Sequence, residues 1–139
     1  MLDYKTHIEK DSMFNTPPVF PIYVSMLTLR WLKEKGGGEY IEQINDDKAK
    51  MLYEEIDRNS LFYGIVKKEN RSNMNVTFNL YDNNLSDDFN KLCEENGIDG
   101  LIGHRSVGGY RASLYNALPK KSVEFLIKLM KKFEDKKND

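Results

Sequence analysis

Met74-Asn75-Val76-Thr77-Phe78-Asn79-Leu80-Tyr81 reads as a strand, because Val76, Phe78 and Leu80 fall on one side of an extended chain. Upstream, Lys67 to Asn73 is a charged turn and Leu61 to Val66 is a second strand. Before them, Ile41, Ile44, Met51, Leu52 and Ile56 recur at helical spacing within a helix expected from about Glu39 to Asn59. Lys48 interrupts that stripe, and its aliphatic stem is expected to lie along the surface. Downstream, Asn84 or Ser86 is placed to cap a helix carrying Leu85, Phe89, Leu92 and Cys93, with Gly97 as its stop. Ile98 to Ile102 and Tyr110 to Tyr115 read as short strands around a glycine-containing loop. Pro119 opens a last helix whose face is Val123, Leu126, Ile127, Met130 and Phe133. Lys131, Lys132, Lys136 and Lys137 crowd its end, where the helix dipole favours cations. The expected fold class is α+β, with helices packed on a small, mainly antiparallel sheet.

The N-terminal side has a different texture. Residues 1 to 14 are polar and mixed, and read as a strand end and a loop. Asn15-Thr16-Pro17-Pro18 has the composition of a helix start, with Asn or Thr as cap and proline in the first turn. Val19 to Trp31 is apolar enough for a helix buried on more than one side, and Gly36-Gly37-Gly38 ends it.

Composition narrows the function. The chain has 139 residues and is 40% hydrophobic, which suits one domain with a core, or a domain and a fragment. Lys and Arg total 21 against 22 Asp and Glu, which argues against a general nucleic-acid binder. Cys93 is the only cysteine, so neither an internal disulfide nor a cysteine-based zinc site can form, and a buried place in the core is its expected role. His7 and His104 lack the spaced acids of a metal site, and no metal is expected. No apolar run has the length of a membrane span, and Met1 to Lys5 lacks a signal-peptide layout, so a cytoplasmic protein is expected.

The segment richest in chemistry is Gly103-His104-Arg105-Ser106-Val107-Gly108-Gly109-Tyr110-Arg111-Ala112-Ser113. Its glycines permit a tight, irregular backbone, and its two arginines and histidine offer donors to a carboxylate or phosphate. The competing reading is a surface turn whose arginines bridge local acids. Asn15-Thr16 is the second candidate, either a plain helix cap or, with the free N–H groups of a helix start, a phosphate site. The pairs Asp46-Asp47 and Asp87-Asp88 read as solvated helix faces.

In order along nearly the whole chain, several blocks resemble the phosphoserine aminotransferase family. They are Leu2-Asp3-Tyr4-Lys5 with His7, Asp11 to Pro18, Trp31-Leu32-Lys33, Arg71 to Val76, Gly103 to Gly109 and Arg111 to Ala117. The resemblance implies the aspartate-aminotransferase fold type, a homodimer with active sites at the subunit interface, and pyridoxal 5′-phosphate as cofactor. It places this chain at the C-terminal portion. Residues 1–37 would be the end of the large cofactor-binding domain with a connecting helix, and residues 38–139 the C-terminal small domain. The implied reaction moves an amino group from L-glutamate to 3-phosphohydroxypyruvate, giving O-phospho-L-serine and 2-oxoglutarate. This is a step of serine biosynthesis, and in many bacteria the enzyme also serves pyridoxine biosynthesis.

Residue by residue, Asn15 and Thr16 match the family pair on the cofactor phosphate. His104 and Arg105 match the pair on the substrate's distal anion, and Arg111 matches the arginine on the α-carboxylate. Tyr110 stands where the family often has Met, and Leu101-Ile102 where Leu-Lys is common. The family's Schiff-base lysine belongs to a motif upstream of the region matching Met1, so the chain alone is expected to be inactive. The alternative is a non-catalytic anion-binding or interaction fragment that completes the site of a separate large domain.

Overall fold

The structure, a computed structural model, describes residues 2–138. The chain divides into two compact units, Met1–Gly38 and Glu39–Asp139.

The first unit holds two helices. α1 (Tyr4–Ile8) stands where the sequence suggested a strand end and a loop. Its cause is local: the Asp3 carboxylate accepts from the Lys5 N–H at 3.0 Å, and Lys5 pairs with Glu9 one turn on at 3.7 Å. A helix held by its cap and one surface pair has no apolar stripe for a periodicity search to find. Asp11 and Ser12 then take positive φ angles of 48° and 65°, and Ser12 N–H closes the turn on the His7 carbonyl at 2.8 Å. His7 packs edge-on to Phe14 at 5.9 Å.

α2 (Val19–Glu34) has the expected extent but not the expected burial: none of its residues is buried. Val19 is 64% exposed and Phe20 76%. Gly36, with φ of 109°, ends it as expected.

The second unit is built on a three-stranded antiparallel sheet in the order β1-β2-β3. β1 is Phe62–Gly64, β2 is Asn75–Leu80 and β3 is Tyr110–Ser113. The register pairs Phe62 with Leu80, Val76 with Ala112 and Phe78 with Tyr110. These residues form the buried face, because cross-strand partners point to the same side. α3 (Gly37–Arg58), α4 (Ser86–Glu95) and α5 (Lys120–Asn138) surround them. Leu52 and Ile56 come from α3, Phe89 and Cys93 from α4, and Val123, Met130 and Phe133 from α5. Phe62 is the hub, with ring centroids 5.7 Å from Phe78 and 4.9 Å from Phe89. Burial pushes the Cys93 thiol up to about 11, which keeps it an inert core residue at neutral pH. The α+β class, with helices on a small antiparallel sheet, is therefore what the chain forms.

Four local expectations change. Lys48 does not lie on the surface; it is completely buried, and its ammonium donates to the carbonyls of Leu114, Tyr115 and Leu118 at 3.3, 2.8 and 3.2 Å. Burial pulls its pKa below the usual 10.5, and the three carbonyls replace lost water. The strand expected over Ile98 to Ile102 shrinks to a single bridge between Ile102 and Tyr110, since Gly97 and Gly100 both take positive φ around it. Neither Asn84 nor Ser86 caps α4, whose N-cap residue is Leu85 with no side-chain bond; the Asp82 side chain instead accepts from Asn84 N–H and starts a short 3-10 turn before it, Asn83–Leu85. The acidic pairs also tie elements together rather than only facing water: Asp47 pairs with Lys120 at 3.2 Å and Asp88 with Lys137 at 2.6 Å.

Candidate active site

β3 is an edge strand, and the segment that precedes it folds back along it. Gly103 N–H donates to the Gly109 carbonyl at 2.8 Å, and Arg111 N–H to the Leu101 carbonyl at 2.7 Å. Residues 104 to 108 form the tip. The His104 carbonyl accepts from both Val107 N–H and Gly108 N–H, at 2.9 and 2.8 Å. The glycines are needed here: a Cβ on Gly103 would run into the Gly108 carbonyl oxygen, and Gly108 has φ of 74°. His104, Arg105 and Arg111 are thereby gathered on one short hairpin-like excursion, and all three are exposed.

Alternation along β3 explains the exposure of Arg111. Tyr110 and Ala112 point into the core, so Arg111 points out. Its register partner is Thr77, and Ser113 next to it on the same face bonds to Asn75 at 3.2 Å. The outward face beside Arg111 is thus lined by Asn75, Thr77 and Ser113, side chains that the motif reading did not single out. The alternation of β2 and β3 carries that signal. Arg111 and Ser113 also line an open cleft of about 700 Å³ between β3, the Gly97–Leu101 segment and α5, with Lys121 and Ser122 on its far wall.

The arginines of the segment are uncommitted. Arg58 is held by Glu55 and Glu134 at 2.7 and 2.6 Å, and Arg71 by Asp57 at 2.6 Å. Arg71 also lies over the Tyr53 ring at 4.5 Å and holds the Asp57 carboxyl down at about 2. Among the described residues, no carboxylate comes within 4.0 Å of His104, Arg105 or Arg111. Arginines bridged by local acids are therefore not what this loop forms. Two arginines left without counter-charge, with His104 in the same segment, can accept a small anion.

Asn15 and Thr16 lie in the other unit, and the structure does not place them as a helix cap. α2 begins only at Val19, and Pro18 at its cap makes no side-chain bond. Pro17 and Pro18 carry no N–H, and Val19 N–H turns back to the Pro17 carbonyl at 2.8 Å, so this helix start offers fewer free donors than its sequence suggested. What the pair supplies is an exposed side-chain amide and an exposed hydroxyl.

Comparison with known proteins adds to this geometry. Residues 1–126 match the family model of class-V aminotransferases. The phosphoserine aminotransferase of Flavobacterium psychrophilum is 60% identical over 136 residues, 98% of this chain and 38% of that protein. A solved structure of phosphoserine aminotransferase from Bacillus circulans subsp. alkalophilus superposes with a TM-score of 0.88 at 43% identity, over 96% of this chain and 37% of the other. Pyridoxal-phosphate-bound phosphoserine aminotransferase from Trichomonas vaginalis gives a TM-score of 0.81 at 39% identity, over 93% and 37% of the two chains. The chain spans a little over a third of the length of these relatives. Folded as helices on a small antiparallel sheet and matched along most of its length, the chain belongs to the class-V aminotransferase family.

Proposed function

We propose that this chain is the substrate-binding, C-terminal portion of a phosphoserine aminotransferase. Residues 1–37 are the end of the large cofactor-binding domain with its connecting helix, and residues 38–139 the small domain. The whole enzyme, a cytoplasmic homodimer, passes the amino group of L-glutamate to 3-phosphohydroxypyruvate in serine biosynthesis, and a related phosphorylated keto acid of pyridoxine biosynthesis fits the same donors. The observation that carries this reading is the set of three exposed donors, His104, Arg105 and Arg111, without an acidic partner among the described residues, on one glycine-built excursion. It occurs in a chain 60% identical to a phosphoserine aminotransferase.

Pyridoxal 5′-phosphate, when bound, supplies the electron sink for amino transfer. The residues of this chain bind and orient. Arg111 grips the substrate α-carboxylate with its planar fork, which fixes where the amino group sits. His104 and Arg105 take the distal anion, and phosphate and the glutamate side-chain carboxylate are both compact enough for them. Asn15 and Thr16 donate an amide and a hydroxyl to the cofactor phosphate; neither brings charge, so they orient that group more than they attract it. The Schiff-base lysine comes from outside these 139 residues.

The test is a chimera in which this chain replaces the matching stretch of the Flavobacterium psychrophilum enzyme. Amino transfer from glutamate to 3-phosphohydroxypyruvate is expected, with Arg111→Ala lowering kcat/KM by about a hundredfold or more through loss of a bidentate charged contact. A chimera that retains cofactor absorbance yet transfers no amino group would overturn the proposal. Anion binding without transfer would favour a non-catalytic anion-binding module.

A further inference from the structure

His104 does not stand alone in its loop. Its Nδ1 lies 2.8 Å from the Ser106 hydroxyl and 3.3 Å from the Ser106 backbone nitrogen. A backbone N–H can only donate, so this contact is satisfied when the Nδ1 of His104 presents its lone pair. In that tautomer the hydroxyl, at the shorter distance, donates to the same lone pair. With Nδ1 committed as acceptor, the ring proton of neutral His104 sits on Nε2. The loop backbone supports the arrangement: the His104 carbonyl is held by Val107 and Gly108 N–H, so the turn carrying Ser106 is closed on His104.

We infer that Ser106 is a positioning residue for anion recognition: it holds His104 in the Nε2–H tautomer and so aims one N–H donor away from the loop and at the ligand. The inference rests on the reading of His104 as a donor to the distal anion. It goes further by assigning the atom that binds and the residue that fixes it. Substrate specificity follows. An Nε2–H donor demands an acceptor, so phosphate and carboxylate satisfy it, while an amide or alcohol in that subsite can do so only through its oxygen. The hydroxyl also ties the ring orientation to the fold of the loop, and a disturbed tip would therefore misdirect the donor.

Two measurements on the full 139-residue chain test this. The first is long-range ¹H–¹⁵N correlation of the His104 ring, which needs no ligand. The expected pattern is a pyridine-type Nδ1 and a protonated Nε2, with the Nδ1 resonance moving towards its unbonded position in Ser106→Ala and returning in Ser106→Thr. A protonated Nδ1 in the neutral ring, or a ring spectrum unmoved by Ser106→Ala, would overturn the inference. The second is a double-mutant cycle on inorganic phosphate affinity, read by ³¹P and amide shifts. Ser106→Ala should weaken phosphate about two- to tenfold, the range of one hydrogen bond, and should have no effect in the His104→Ala background. An equal loss in both backgrounds would show that Ser106 acts on the anion directly and would overturn the positioning role. If His104→Ala leaves phosphate affinity unchanged, the anion-site reading fails instead, while the ring spectrum still decides the tautomer.

Discussion

Lys48→Met removes a buried charge while keeping an unbranched stem of similar length. In the native chain the ammonium donates to three carbonyls at 3.3, 2.8 and 3.2 Å, all at the end of β3 or in the turn leading to α5. Two effects oppose each other. Burying an ammonium costs several kcal/mol, and methionine escapes that cost. Against it, methionine leaves the three carbonyls without their donor, at about 1–3 kcal/mol for each that water cannot reach. Leu114 is buried and Leu118 half-buried, whereas Tyr115 is exposed, so two of the three are left poorly solvated. The lysine's three charge-assisted bonds, at about 1.5–3 kcal/mol each, already offset its desolvation, so methionine gains little by escaping it; the stranded carbonyls decide the sign, and the net destabilisation should be about 2–4 kcal/mol. The assay is urea unfolding followed by far-UV circular dichroism, where the midpoint should fall with an unchanged slope. A Lys48→Met chain as stable as wild type, or more so, would refute the claim that this lysine moors β3 and the turn beyond it.

Three further outcomes are expected. Phe89→Ala empties a fully buried position against Phe62, Tyr110 and Phe133 and should cost about 3–5 kcal/mol in the same assay. Gly103→Ala should spare global stability more than it spares phosphate binding, since the new Cβ meets the Gly108 carbonyl within the loop; ³¹P titration beside thermal unfolding separates the two. Asp57 is held at about 2 by Arg71, below its ordinary 3.8. A depressed carboxyl stabilises the fold above its unfolded value, so stability should fall as pH drops from about 4 to about 2, and Asp57→Asn should flatten that part of the profile.

Where sequence and structure agree, packing of apolar faces decides the outcome. β2, the stripe of α3, Phe89 and Cys93 on α4, and the inward face of α5 were legible because burial imposes period 2 or period 3.6 on the sequence. Disagreements arose where polar contacts decide. α1 rests on an Asp3 cap, and α4 has no side-chain cap because Asp82 caps a 3-10 turn that leads into it. Lys48 reads as a surface lysine because three distant backbone carbonyls, unseen in its own helix, satisfy it. In α2 the apolar density was legible, but none of its residues is buried, since density alone does not say what covers a helix. At the candidate site, the glycines and cations of residues 103–111 were plain in sequence. The freedom of Arg105 and Arg111 from acids, the role of Ser106 and the polar strip beside Arg111 needed the fold.

The central claim is that Gly103 to Arg111 binds the two anionic ends of an amino-acid substrate. Its most direct test is an amide-resolved titration of the ¹⁵N-labelled chain with O-phospho-L-serine, set against L-serine. Shifts concentrated at residues 103–111, stronger for phosphoserine and reduced in both Arg111→Ala and His104→Ala, are the predicted result. Equal responses to the two ligands, or shifts that fall elsewhere in the chain, would contradict it.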